Sequence, residues 1–230
     1  MCLKLTFFSD THTHHTKLSG ELEGGHILFF MGDCTEKGYQ HEVHTFLKWF
    51  GNIKTYDYKV MIGGNHDGFL QWQPKEFKKM LSDTDIYGDV IYLEDESVEL
   101  MGYKIYGSPY SPRIGEWAFD YERNSTEALA QWNKIPGDTD ILLTHAPPYQ
   151  LLDFTRYSEV PVGCKALQDN VLRVNPLIHA FGHIHDSHGT RRFGNTMFVN
   201  GSIMDNMYIP TNKPINLNLN VVTDEITYGN

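Results

Sequence analysis

Cysteine is scarce: the 230-residue chain has three, Cys2, Cys34 and Cys164, an odd number, far apart and with no CxxC pair. That excludes a disulfide framework, a zinc knuckle and a redox pair, and predicts reduced thiols, with Cys34 read as a small filler side chain beside Asp33. Positive charge is short as well. Lys and Arg total 19 against 29 Asp and Glu, a formal net charge of −10. So acidic a chain repels polyanions, which argues against general binding to nucleic acid or an anionic membrane surface, although bound divalent cations would make one pocket locally positive. Small anionic substrates remain allowed, and nothing in the composition specifies a protein partner. No apolar run approaches the ~20 residues of a membrane helix. Leu3 to Phe8 opens directly into a strand pattern, with no basic region or cleavage site before it, so the expected location is the cytoplasm. Repeats, low-complexity tracts and charge blocks are also missing, and one domain over residues 1–230 is the expectation.

Apolar and aromatic residues are plentiful, at 40% and 13% of the chain. Strand-like runs recur at 3–8, 26–31, 58–62, 90–93, 104–106, 141–143, 177–181, 196–199 and 215–219. Helix-like stretches lie at 41–50, 74–81, 125–132 and 164–173, with Pro74 suited to a first helical turn. Alternation of strands and helices in the first half predicts βαβ units. Short turns around 90–106 and 189–199 predict antiparallel pairing elsewhere. The result is an α/β fold: a sandwich of mixed sheets flanked by helices.

Five short motifs each place a metal-ligating residue just past a strand-like run: Asp10-Thr11-His12, Gly32-Asp33, Gly64-Asn65-His66-Asp67, Thr144-His145 and Gly182-His183-Ile184-His185. One Asp-x-His is weak; five in order outline a two-metal hydrolase. Ligands in open α/β sheets gather at the carboxyl ends of strands, so residues spread along the chain can converge on one crevice. Carboxylate, amide oxygen and imidazole without thiolate suit Mn²⁺, Fe or Zn²⁺ better than a closed structural zinc site. Two cations roughly 3.5–4 Å apart need a bridge, and a carboxylate offers one lone pair to each, which makes Asp33 the natural choice.

This ordered signature resembles that of the calcineurin-like metallophosphoesterases. A narrower resemblance, to the metallophosphoesterase-domain-containing branch related to class III cyclic nucleotide phosphodiesterases, is carried by segments such as Gly107-Ser108-Pro109-Tyr110-Ser111-Pro112 and Thr144-His145-Ala146-Pro147-Pro148. The resemblance implies a four-layer α/β/β/α sandwich with mixed β-sheets and two divalent metals, Mn²⁺ first, with Fe, Zn or Ni as alternatives. Asp10, His12, Asp33 and His185 would hold one metal. Asp33, Asn65, His145 and His183 would hold the other. His66 would stabilise or protonate the leaving oxygen, with Asp67 holding its imidazole, and hydroxide held by the metals would attack phosphorus. Phosphoprotein phosphatases of this superfamily carry Arg where this chain has Lys37, which lacks the bidentate fork and disfavours that activity.

The implied activity is hydrolysis of a small phosphodiester, a cyclic nucleotide or related nucleotide. Alternatives are a phosphomonoesterase on a nucleotide or small metabolite, a nuclease, and a metal-binding scaffold without turnover. Besides Asn65, candidate substrate contacts are Tyr110, Trp117 and Tyr149 for stacking and Arg113 for phosphate. His14 and His15 are close enough in sequence to the first motif to line the cleft. Asp186 is either an imidazole partner or a turn residue.

Overall fold

Successive side chains of a strand point to opposite faces, and in the central strands of this chain both faces are apolar. The computed structural model describes residues 2–229. In chain order the elements are β1 (Cys2–Phe8), β2 (Gly25–Met31), α1 (Gln40–Gly51), β3 (Tyr56–Ile62), α2 (Gly68–Trp72), α3 (Pro74–Leu81), α4 (Thr84–Tyr87) and β4 (Ile91–Tyr92). Then come β5 (Glu96–Leu100), β6 (Tyr103–Ser108), β7 (Ser111–Pro112), β8 (Asp120–Tyr121), α5 (Thr126–Trp132), β9 (Ile141–Thr144) and α6 (Lys165–Val174). The chain ends with β10 (Ile178–Phe181), β11 (Gly189–Phe193), β12 (Thr196–Asn200), β13 (Ile215–Asn220) and β14 (Ile226–Tyr228).

Two six-stranded sheets result, in the orders β14-β13-β1-β2-β3-β4 and β11-β12-β10-β9-β6-β5. β1 to β4 are parallel, as are β6, β9, β10 and β12. Antiparallel strands add to the edges: β13 and β14 on one sheet, β5 and β11 on the other. Phe7, Phe29, Val60, Leu143, Ala180 and Val199 point into a core shared by both sheets. Their neighbours Phe8, Phe30 and Met61 pack outward with α1 and α3, while Leu142, Phe181 and Phe198 pack outward with α5 and α6. Helix, sheet, sheet, helix is therefore the layer order. Each fully buried large apolar side chain contributes roughly 1.5–3 kcal/mol, and the Phe7 and Phe29 rings stack across β1 and β2 at 4.8 Å.

Helix α1 illustrates the local logic. Val43, Phe46, Leu47 and Phe50 recur at helical spacing and are buried. Glu42 caps the start, its carboxylate accepting from the N–H of Tyr39 at 2.8 Å and of Glu36 at 3.1 Å. That cap also fixes the 36–39 loop, which reaches the site described next. Among the described residues, no helix is long and apolar enough to cross a membrane.

Candidate metal centre

The parallel strands β1, β2 and β3 of one sheet, and β9 and β10 of the other, end at the same edge of the sandwich. Asp10, Asp33, Asn65, His145 and His183 follow them within three residues. Backbone bonds lace the strand ends together: Asp10 N–H to Gly32 O at 2.9 Å, Ser9 N–H to Gly201 O at 2.9 Å, and Gly182 N–H to His145 O at 3.0 Å. Asp10, His12, Asp33 and His183 all take positive φ, 53°, 38°, 62° and 66°. Such backbone is costly for side-chain-bearing residues and clusters at functional sites. Gly182 is required for closeness, since a Cβ there would strike Ser9 Oγ and Asp10 Oδ2. Gly182→Ala is expected to cost about 1–3 kcal/mol as overpacking and to lower metal stoichiometry, read by thermal melting and elemental analysis of the purified protein.

Ligand atoms of Asp10, His12 and His185 lie within 4.8 Å of one another, as do those of Asp33, His145 and His183, and of His12, Asp33 and His66. Three imidazoles are turned the same way. The Nδ1 atoms of His12, His145 and His185 bond to the carbonyls of Thr35 (3.1 Å), Met31 (2.8 Å) and Asp205 (3.1 Å). A proton held on Nδ1 leaves the Nε2 lone pair for a metal, the usual outer arrangement of a metal-bound histidine. His12 Nε2 is buried without a hydrogen-bond partner. His145 Nε2 faces Asn65 Oδ1 at 2.9 Å and Asp33 Oδ2 at 3.2 Å. With Nδ1 already donating, three electron-rich atoms meeting there need a proton or a cation among them. The donor set therefore fits a divalent metal.

The electrostatics agree. Burial would raise the Asp10 carboxyl, but His185 and His145 pull it down to about 2. Burial works the same way on Asp33, and His145 and His66 outweigh it, holding the carboxyl well below the usual range. His145 is buried, which disfavours its cation, yet Asp33 keeps it protonated up to about 9. Burial pushes His12 down to about 4 and His183 to about 3, so both stay neutral at physiological pH, as metal coordination requires. This negative field, which holds a proton on His145, also attracts a cation.

His66 and Asp67 part company in the structure. Asp67 does not hold the His66 imidazole; His66 Nδ1 bonds to Glu36 O at 2.8 Å, and its ring stacks on Trp117 at 4.0 Å. The fully buried Asp67 carboxylate instead accepts from backbone N–H groups of Asp33 (2.8 Å), Gly64 (2.9 Å) and Thr35 (3.0 Å), and from Cys34 Sγ (3.2 Å). The turn closed by the Asp67 N–H to Gly64 O bond at 3.0 Å brings the carboxylate to three buried N–H groups that need an acceptor. Cys34 is buried, and its thiol is pushed up by burial and by Asp67, which makes it inert packing.

Two clefts flank His66 and Tyr208, which line both. One, about 230 Å³, contains Asp33, Asn65, His183, His185 and Arg123 in its lining. The other, about 340 Å³, is lined by His12, His14, Glu36, Lys37 and Trp117. Of the predicted substrate contacts, Asn65 lines the first cleft and Trp117 the second, but Tyr110, Arg113 and Tyr149 line neither. Arg113 is exposed and paired with Asp120 at 2.8 Å, and Tyr110 packs against Phe119 and under Lys134. His15 turns away from the site, buried against Phe46 and Trp49. Asp186 pairs with Arg156 at 3.0 Å rather than with an imidazole. Arg123 and Tyr208 escaped sequence reasoning because no motif marks them. Tyr208 sits 4.9 Å from the rings of both His12 and His185.

Residues 3–187 match the family model of the calcineurin-like phosphoesterases. The chain is 36% identical to human metallophosphoesterase domain-containing protein 1, covering 92% of this chain and 69% of that one. It is 37% identical to a UPF0046 protein of Caenorhabditis elegans, covering 89% and 57% respectively. A solved structure from Thermus thermophilus superposes with a TM-score of 0.65 at 14% identity over 100% of this chain and 99% of that one, a likeness of fold. With the family model spanning most of the chain and the donor set suited to divalent cations, the chain belongs to the calcineurin-like phosphoesterases, metal-dependent hydrolases of phosphoric esters.

Proposed function

We propose that this chain is a phosphodiesterase with two divalent metals, Mn²⁺ foremost, acting on a small diester such as a cyclic nucleotide or related nucleotide. One observation supports a diester over a monoester: the clefts open on both sides of His66 and share it, together with Tyr208. A phosphorus atom beside His66 then has room for an ester arm in each direction. Asp10, His12, Asp33 and His185 are the proposed ligands of one metal; Asp33, Asn65, His145 and His183 are those of the other. Such cations, when bound, make hydroxide available near neutral pH and neutralise phosphate oxygens. Asp33 reaches both groups: its Oδ2 lies 3.2 Å from His145 Nε2 and 3.8 Å from His12 Nε2. The backbone N–H of His66 anchors its Oδ1 at 2.8 Å.

His66 is the proposed proton donor to the leaving oxygen. With Nδ1 committed to Glu36 O, Nε2 is the nitrogen left to meet substrate. Trp117 holds the ring from one side. His66→Ala is expected to lower turnover by roughly 10²-fold on an alkoxide leaving group and far less on p-nitrophenolate, which needs no proton. Both metals should stay bound; loss of one would make His66 a ligand, as its proximity to His12 and Asp33 permits. The reading itself is tested with metal-stripped protein and Mn²⁺, Zn²⁺, Fe²⁺ or Mg²⁺ restored separately. Cleavage of bis(p-nitrophenyl) phosphate well above p-nitrophenyl phosphate is expected with Mn²⁺. The reverse order makes the protein a monoesterase, and silence on both with two metals bound leaves a scaffold.

A further inference from the structure

Arg123 lines the same cleft as Asn65, His183 and His185, and among the described residues is the single Lys or Arg to do so. Among the described residues it makes no ion pair, whereas Arg113 is matched by Asp120 and Arg156 by Asp186. Its Nη1 donates to the carbonyls of Val162 (2.7 Å) and Gly163 (2.9 Å). A guanidinium has five N–H donors in a planar fork, so Nε and Nη2 remain for a ligand. Those carbonyls orient the group without pairing with its charge, and the buried Asp153 carboxylate acts on it only from beyond ion-pair distance. Asp153, the acid on the same loop, has one carboxylate oxygen accepting from the N–H groups of Gln150 (2.9 Å) and Gly163 (2.8 Å). The loop that positions Arg123 is thereby held in place, as a pre-organised binding group requires. Much of the remaining wall is apolar, including Pro112, Ile114, Pro147 and Val162.

A half-buried, unpaired cation, oriented in an apolar-walled cleft of an acidic protein, calls for an anion from the ligand. The proposed metals, when bound, would neutralise the scissile group. We infer that Arg123 forms a second anion subsite and that the substrate is a phosphodiester carrying a further phosphate, as a linear nucleotide with a phosphorylated end does and a simple cyclic nucleotide does not. This inference rests on the phosphodiesterase reading and narrows its substrate class.

The test compares the thymidine dinucleotide TpT with its 5′- and 3′-phosphorylated forms, using Mn²⁺-loaded protein. Wild type is expected to favour one phosphorylated form by about tenfold or more in kcat/KM, chiefly through KM. Arg123→Gln brings that ratio close to one, and Arg123→Lys, which keeps charge without the fork, retains part of it. A wild-type ratio near one for both forms overturns the inference, even if a variant fails to fold. An unchanged ratio in Arg123→Gln, with all substrates falling together, also overturns it and makes Arg123 only a loop clasp. If no dinucleotide is cleaved with both metals bound, the diesterase reading fails on these substrates, and calorimetric Kd values for the same compounds decide the subsite. Tighter binding of a phosphorylated form, lost in Arg123→Gln, upholds it; equal Kd values overturn it.

Discussion

Asp33→Asn should reduce turnover on bis(p-nitrophenyl) phosphate by between about 10² and 10⁴-fold, with loss of bound metal. Changing a residue that only supports a metal-bound side chain costs about 10–100-fold in metal affinity or activity, and a proposed ligand shared by both metals stands at the top of that range or beyond it. The substitution is clean for local reasons. Asn tolerates the left-handed backbone, φ 62°, that Asp33 adopts, and its amide oxygen can still accept the His66 N–H that Asp33 Oδ1 takes at 2.8 Å. What disappears is the negative charge facing both His145 and His12. Folding should survive while the site fails. Elemental analysis, melting temperature and kcat measured on one preparation separate these outcomes. Near-normal turnover with full metal occupancy would show that Asp33 is not the bridge.

The candidate ligands were legible in the sequence because each sits in a short motif directly after a strand, and strands are marked by local patterning. The sandwich of mixed sheets was legible in the alternation of strands and helices, and the four-layer order only through the family resemblance; its physical mark is apolar residues on adjacent positions, as at Phe7 and Phe8 or Leu142 and Leu143. Residues placed by loops were not. Arg123 and Tyr208 enter the cleft through connections whose course depends on long-range bonds, such as Arg123 to Val162 and Gly163 or Asn206 to Tyr157. Arg113 and Arg123 lie in the same kind of segment, ten residues apart, and the pairing of Arg113 with Asp120 decides which one is free. The edge strand β5 was obscured by Glu96, Ser97 and Glu99, polar because that edge meets solvent.

Asp67 separates motif from mechanism. The family resemblance reads it as the partner of His66, and on that reading Asp67→Ala would lower kcat as His66→Ala does, leaving metals and melting temperature nearly unchanged. The observed contacts predict a different outcome. Truncation strands the buried N–H groups of Asp33, Thr35 and Gly64, at about 1–3 kcal/mol for each unsatisfied donor, not fully additive. A total of roughly 3–6 kcal/mol corresponds to a fall in melting temperature of about 10–20 °C for a chain of this size. Metal affinity should fall with it. Thr35 supplies the carbonyl that orients His12, Gly64 precedes Asn65, and Asp33 is the proposed bridge, so one carboxylate ties together the two segments 33–35 and 64–67 that carry candidate ligands, and through Thr35 steadies His12. Calorimetric melting with metal titration checks this directly. If Asp67→Ala melts within about 2 °C of wild type, roughly the shift of a surface change, and binds both metals while losing turnover, the carboxylate acts on the chemistry and the loop-tying role assigned to it is wrong.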